Sequence, residues 1–323
     1  MAVKKSESTG SSGRKGPFRF LADCGLFLLL VIAMALAGEA AIRLWTKSSH
    51  KMKAEWMDAH APEVETLILG DSRSYYGIRP DLIPGRAYNL ANIAQNFIYD
   101  RMLLEKYGDR MPRLHTLICD VGYGILFDPD IDGPQGAGLA GDYIIFMDIG
   151  KRPETLTDWN IFHPAKYARR IRDMISGNLE CDSLGFCVEY TLASRNIYWQ
   201  KDDEVTWRLA SWERETSMTA KNVRDLEWIA QWCQSRGVRL VLFSAPLWHK
   251  FREKADPYIT NFTDSVADAV AARYGGVRLD YTADPRFVAD DFLDIDHVAS
   301  DTGAEKLTRI IVADLQYHGE PKR

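Results

Sequence analysis

VETLILGDSRSYYGI, Val64 to Ile78, is the stretch on which the reading of this chain turns. Three large apolar residues, Leu67, Ile68 and Leu69, run into Gly70 and stop at Asp71 and Ser72, after which the chain turns basic and aromatic. A buried strand that ends this way has two explanations. Either Asp71 and Ser72 open a turn, or Ser72 is a nucleophile held at the mouth of a sheet.

Working outward, Val64–Gly70 reads as a first strand and Ala87–Ala91 as a shorter second one. A helical pattern covers Ile98–Tyr107, and Leu114–Val121 (LHTLICDV) reads as a third strand. Gly122 to about Gln200 is irregular, with a Gly-rich piece, GPQGAGLAG, and a helix expected over Pro164–Ile175. That is too long for a plain connection and reads as an insertion that covers or shapes a site. Regularity returns with an amphipathic helix, Lys221–Arg236, ended by Gly237 as a C-cap. Val238–Ala245 is a fourth strand, Tyr258–Tyr274 a helix, Val277–Tyr281 a fifth strand and Thr302–Tyr317 a last helix. Thr302 and Glu305 have capping-box spacing at its start. Tryptophans 199, 207, 212, 228 and 232 suit helix-on-sheet packing better than stacking on sugars. Strands alternating with helices predict the α/β class, a parallel sheet of about five strands covered on both faces. Ligands of such sheets bind beyond the carboxyl ends of the strands, which is where Ser72 falls.

The chain has 323 residues, 46% hydrophobic and 26% charged, enough to build a core without metals or many disulfides. Its formal net charge of −5, with no basic patch among aromatics, gives no reason to expect nucleic acid as a partner. Residues 1–19 read as a disordered tail in the cytoplasm. Arg14, Lys15 and Arg19 precede the apolar segment 20–45, which approaches the ~20 residues needed to span a bilayer and places the rest outside. Ala35-Leu36-Ala37 also has the form of a signal-peptidase site, so a cleaved signal is the rival reading. The uncleaved anchor is preferred because Ala40, Ala41, Ile42 and Leu44 prolong the run and Trp45 suits an interface, with Glu39 the awkward residue. Residues 46–62 then read as a charged connector, 63–318 as the main domain and 319–323 as a tail. Export bears on the cysteines: Cys181 and Cys187 flank a short turn and can form a disulfide outside the cytoplasm. Cys119 and Cys233 sit in apolar patterns as buried thiols. No Cys/His spacing suggests zinc, and no P-loop or Rossmann glycine pattern suggests a nucleotide, so no metal or cofactor is expected.

A serine needs a base, and the base an orienting group. Of seven histidines only His297, in DDFLDIDHVASDTGA, has an acid three residues upstream, Asp294. On a turn leading into a helix that spacing can bring carboxylate and imidazole together, with Asp296 an alternative partner. The segment follows the fifth strand, so it belongs at the same edge of the sheet as Ser72.

GDSRSYYGIRP and LDIDHVASDTGAEKLT resemble the first and last blocks of the SGNH, or GDSL, hydrolase superfamily. They are most similar to its membrane-anchored bacterial branch, which includes D-alanyl transfer proteins of teichoic acid operons and O-acetylation proteins of alginate-type exopolysaccharides. The resemblance implies a flavodoxin-like α/β/α sandwich, with Ser72 as nucleophile, His297 as base and Asp294 as orienting acid. For the oxyanion hole it implies the Ser72 N–H and a backbone donor at Ala94, where the family has Gly. The third block, Gly-x-Asn-Asp, is missing: Asp120-Val121-Gly122-Tyr123 stands there, leaving Asn92 or Asn96 as substitutes. Loss of one such donor can cost ~3–4 kcal/mol of transition-state stabilisation. The expected function is an exported acyl-ester enzyme anchored in the bacterial inner membrane, adding or removing acetyl esters on an envelope or secreted polysaccharide. A multispanning acyltransferase or export machinery is the partner the resemblance implies. A catalytically weak scaffold and a broad esterase or lipase are the rival expectations.

Overall fold

Each apolar run bounded by turn residues becomes a strand in the computed structural model of the chain, and the five strands form one sheet. The structure describes residues 17–128, 137–150, 170–172, 175–177, 179–210 and 217–317. The helix expected over Pro164–Ile175, the start of the Gly-rich piece and Trp212 lie wholly or mostly outside them. By its contacts the chain separates into one unit ending at Thr46 and another beginning at Lys47.

The first unit is α1 (Pro17–Trp45), 29 residues with a mean hydropathy of 2.5 over its most apolar window. Among the described residues it is the one helix long and apolar enough to cross a membrane. Glu39, which interrupts the apolar run, is paired with Arg43 one turn on, at 2.5 Å.

In the second unit β1 (Thr66–Leu69), β2 (Ala87–Asn89), β3 (Thr116–Asp120), β4 (Arg239–Ser244) and β5 (Val277–Asp280) pair in parallel, in the order β2-β1-β3-β4-β5. All four residues of β1 are buried, as a strand covered on both faces requires. Leu67 lies opposite Tyr88 on one side and Leu117 on the other. The helices are α2 (Ser49–His60), α3 (Ser72–Gly77), α4 (Phe97–Tyr107), α5 (Ala137–Met147), α6 (Asp202–Leu209), α7 (Thr219–Arg236), α8 (His249–Lys254), α9 (Pro257–Tyr274) and α10 (Gly303–Tyr317). α7 packs against α4 and α9, while α10 packs against α3. With right-handed crossovers these sets cover opposite faces of the sheet. Gly237 ends α7 in the left-handed conformation, φ +66°, as its position in the sequence predicts.

Two local expectations change. The stretch read as a connector contains α2, whose inner side buries His50, Lys53, Ala54 and Met57. Its polar composition hid this, because the Lys53 stem is packed over the Tyr75 ring, with the ammonium 4.1 Å from the ring centre and donating to the Ala91 carbonyl. The capping box at the last helix does not form. The Thr302 hydroxyl instead donates to the Asp290 carbonyl at 2.8 Å, and Glu305 accepts from Arg309 one turn on, at 2.9 Å. Of the tryptophans, Trp199 and Trp232 are buried in the core, whereas Trp207 is 67% exposed. Cys119 and Cys233 are buried thiols, as expected.

Candidate active site

The strand order reverses at β1, which has β2 on one side and β3 on the other, so its carboxyl end is the topological switch point. The chain leaves it at Gly70, φ +113°, where a Cβ would come within 2.8 Å of Ser74 Oγ and 3.2 Å of the Asp120 nitrogen. Only glycine fits such a turn. Asp71 caps α3, its carboxylate accepting from the Arg73 N–H at 2.8 Å. Asn89 holds α3 against β2 by donating to the Ser74 and Ile78 carbonyls, both at 3.0 Å. The Gly-Asp-Ser run has a separate structural part for each polar residue. Asp71 opens the turn, and Ser72 Oγ lies 2.7 Å from His297 Nε2.

His297 arrives on the loop after β5, pinched by an antiparallel bridge between Phe292 and Val298. Asp294 shapes this loop by accepting from the Asp296 N–H at 3.0 Å and the His297 N–H at 2.9 Å. Its two oxygens lie 2.9 and 3.0 Å from His297 Nδ1. Asp296, the alternative partner, is 3.4 Å from the same nitrogen. Burial by itself would lower the His297 pKa, but the Asp294 and Asp296 carboxylates outweigh it and hold the imidazole up at about 10. For Asp296 burial favours the neutral acid, yet His297, Arg208 and Arg73 hold it below the ordinary carboxylate range. The Tyr76 ring sits 5.2 Å from His297 and packs on Tyr190 at 4.4 Å.

Arg208, from α6, reaches into this cluster, 3.2 Å from Asp294 and 3.2 Å from Asp296. No local pattern in the sequence points to it, since it stands 86 residues before Asp294. Asp294, Asp296 and His297 bring three possible metal-ligating atoms within 4.8 Å of one another. The positive charge a cation would bring there is supplied by the Arg208 guanidinium.

The four oxyanion candidates have different surroundings. The Ser72 and Ala94 N–H groups donate to no acceptor among the described residues. Ala94 holds the left-handed conformation that favours glycine, φ +55°, and its loop is tied to the nucleophile turn by the Asn92 N–H donating to the Gly70 carbonyl at 3.2 Å. Asn96 caps α4, and its Nδ2 is buried without an acceptor. Asn92 accepts from Ser49 Oγ at 3.0 Å, and its Nδ2 likewise has no acceptor.

The place where the resemblance expects an asparagine holds a buried ion cluster. Arg73, 4% exposed, donates to both Asp71 oxygens, lies 3.2 Å from Asp120 and donates to the Tyr123 carbonyl at 3.0 Å. A Cβ on Gly122 would meet its guanidinium at 2.3 Å. Burial raises the Asp120 pKa to about 6 even with Arg73 opposing it. Beneath the Gly-Asp-Ser turn, Asp100 accepts from the Gly70 N–H at 3.1 Å and from Gln95 at 2.6 Å, and burial lifts its pKa to about 7.

Cys181 and Cys187 are free thiols in the structure, yet both are buried and directly opposite each other across an isolated antiparallel bridge.

No family profile matches the chain, and no curated protein matches it significantly. Among solved structures it is similar to a crystal structure of TesA, at 12% identity over 78% of this chain and 98% of that one, with a TM-score of 0.38. It is also similar to a lipase/acylhydrolase from Enterococcus faecalis, at 15% identity over 80% of this chain and 100% of that one, with a TM-score of 0.38. Likeness at this level bears on neither family nor activity.

Proposed function

We propose that the chain is a membrane-anchored, extracytoplasmic serine esterase or acyltransferase of SGNH type, acting on acyl esters of a cell-envelope or secreted polysaccharide. The observation that carries the reading is the run of contacts from Ser72 Oγ to His297 Nε2, 2.7 Å, and from His297 Nδ1 to Asp294, 2.9 Å. Ser72 attacks the ester carbonyl as His297 takes its proton, and the negative charge moves to the carbonyl oxygen. The Ser72 and Ala94 N–H groups receive that oxygen. As the intermediate collapses, the alkoxide leaves with the proton from His297 and the acyl group stays on Ser72. Water or a sugar hydroxyl then gives its proton to His297, attacks the acyl-enzyme and frees Ser72. Asp294 keeps the imidazole oriented throughout. Tethering by α1, with the basic flank inside, suits a large external substrate.

The second reading, a scaffold with weak catalysis, is favoured by one observation: the position after β3 is filled by Asp120 and Arg73 and offers no asparagine donor. One experiment separates them. The full chain in detergent is incubated with p-nitrophenyl acetate, and acetyl on Ser72 is sought by mass spectrometry, with His297→Ala alongside. Labelling that depends on His297 supports the enzyme. A folded protein that stays unlabelled supports the scaffold.

A further inference from the structure

Helix α2 grips the Ala94 loop at two adjacent residues, with two side chains one turn apart on the same face. Ser49 Oγ donates to the Asn92 side-chain oxygen at 3.0 Å, and Lys53 Nζ donates to the Ala91 carbonyl. We propose that Lys53, with Ser49 beside it, is a positioning residue for ester turnover: it fixes the backbone that aims the Ala94 N–H at the oxyanion. This role rests on the acyl-ester reading above and gives it a further part.

The Ala91 carbonyl and the Asn92 N–H belong to one rigid peptide plane. Lys53 holds the oxygen of that plane, and its N–H donates to the Gly70 carbonyl at 3.2 Å. Gly70 stands two residues before Ser72, so a single plane joins the Lys53 ammonium to the nucleophile turn. The next residues form a turn closed by the Gln95 N–H, which donates to the Asn92 carbonyl at 3.2 Å. Ala94 is the third residue of this turn, at φ +55°. A non-glycine residue keeps that conformation only where its surroundings over-determine it. The contacts at Ala91 and Asn92, just before it, do so. Asn89 fixes the same base from the sheet side, its side-chain oxygen accepting from the Ala91 N–H at 3.1 Å.

The choice of a lysine for this place carries the inference. Lys53 is fully buried, and a buried ammonium is unfavourable unless it is paired. Among the described residues it forms no ion pair. What holds the charge is the Tyr75 ring face, 4.1 Å away, and the Ala91 carbonyl. Burial pushes its pKa down to about 8, against the opposing pull of Cys181, Cys187, Asp182 and Glu180, so at neutral pH it is mainly the charged form. A charged donor makes a hydrogen bond roughly twice as strong as a neutral one. An apolar chain of similar length would cover Tyr75 as well as the lysine stem does. Packing therefore accounts for the stem, while the loop accounts for the charge.

The test compares the full chain in detergent with its Lys53→Met and Ser49→Ala variants, with Ser72→Ala as the background. Turnover of p-nitrophenyl acetate gives kcat and KM. Inhibition by phenylboronic acid reads how tightly a tetrahedral adduct on Ser72 is held. A contact made only with the oxyanion lowers kcat when it is lost and leaves KM alone. Lys53→Met keeps the stem and should lower kcat about tenfold to a hundredfold, with KM within about twofold. Boronate inhibition should weaken by about tenfold or more. Ser49→Ala should show the same pattern at about fivefold, and it gives the reading should Lys53→Met not fold. Unchanged kcat and boronate inhibition in the folded variants would overturn the proposal. So would a rise in KM alone, or a lower melting point with kcat unchanged, which is what mere structural support gives. Failure of the acyl-ester reading looks different: the unmutated protein then shows no Ser72-dependent turnover, and the role of Lys53 falls with it.

Discussion

The guanidinium of Arg208 lies 3.2 Å from the Asp294 carboxylate that in turn holds His297. It also lies 3.2 Å from Asp296, so one cation from a separate helix balances both acids against the imidazole. Two uncompensated carboxylates would hold a proton on His297 and stop it from accepting one from Ser72. Arg208→Gln should therefore move the acid limb of the pH–activity profile up by roughly one unit and cut turnover of p-nitrophenyl acetate at neutral pH about tenfold. Arg208→Lys should recover much of it. An unshifted limb would leave Arg208 a structural role only.

The unmutated protein should show the same physics. His297 must be neutral to act as a base, and its proton affinity is raised by Asp294 and Asp296. Ester turnover should rise with pH and reach half its maximum above the ordinary imidazole value of ~6.5. A profile already flat at pH 6 would speak against His297 as the base.

Arg73 stands between Asp71 and Asp120 with almost no water near it. Removing it leaves two buried carboxylates facing each other. Arg73→Met should cost about 3–5 kcal/mol, seen as a lower midpoint in urea unfolding. Gly122→Ala should destabilise as well, because its methyl would run into the same guanidinium.

Asp100 supplies a stability signature. Its pKa is about 7 in the folded chain, against an ordinary value near 3.8, so the folded state keeps a proton that the unfolded chain gives up. Stability from this group is present below about pH 4 and is lost as the pH rises toward 7, by a few kcal/mol in all. Thermal melts should fall between pH 4.5 and 7.5, and Asp100→Asn should shrink the fall while leaving the Gly70 contact intact. An equal fall in the variant would remove Asp100 as its source.

Cys181 and Cys187 face each other at the separation of paired strands, within the range a disulfide spans. The protein recovered from an oxidising compartment should carry this bond, found by non-reducing peptide mapping. Its reduction should lower the melting point by several degrees, as loss of roughly 2 kcal/mol implies. Two alkylatable thiols in the untreated protein would count against it.

The sheet was legible in the sequence because strand and helix periods are local. The apolar runs at Leu67, Leu117 and Leu240, the Gly237 stop and the Asp294–His297 spacing each need only a few neighbouring residues to be recognised. Ser72 was legible too, since a Gly-Asp-Ser run after a buried strand falls at the edge where parallel sheets bind ligands. The environment of that site was not. Arg208 meets Asp294 across 86 residues, Asn92 meets Ser49 across 43, and Asp100 holds Gly70 across 30. Nothing near Lys53 or Arg73 in the sequence marks either as a buried charge, and only folding buries them. Which charges are paired, buried or left open to a ligand depends on distances between remote segments, and folding alone sets those distances.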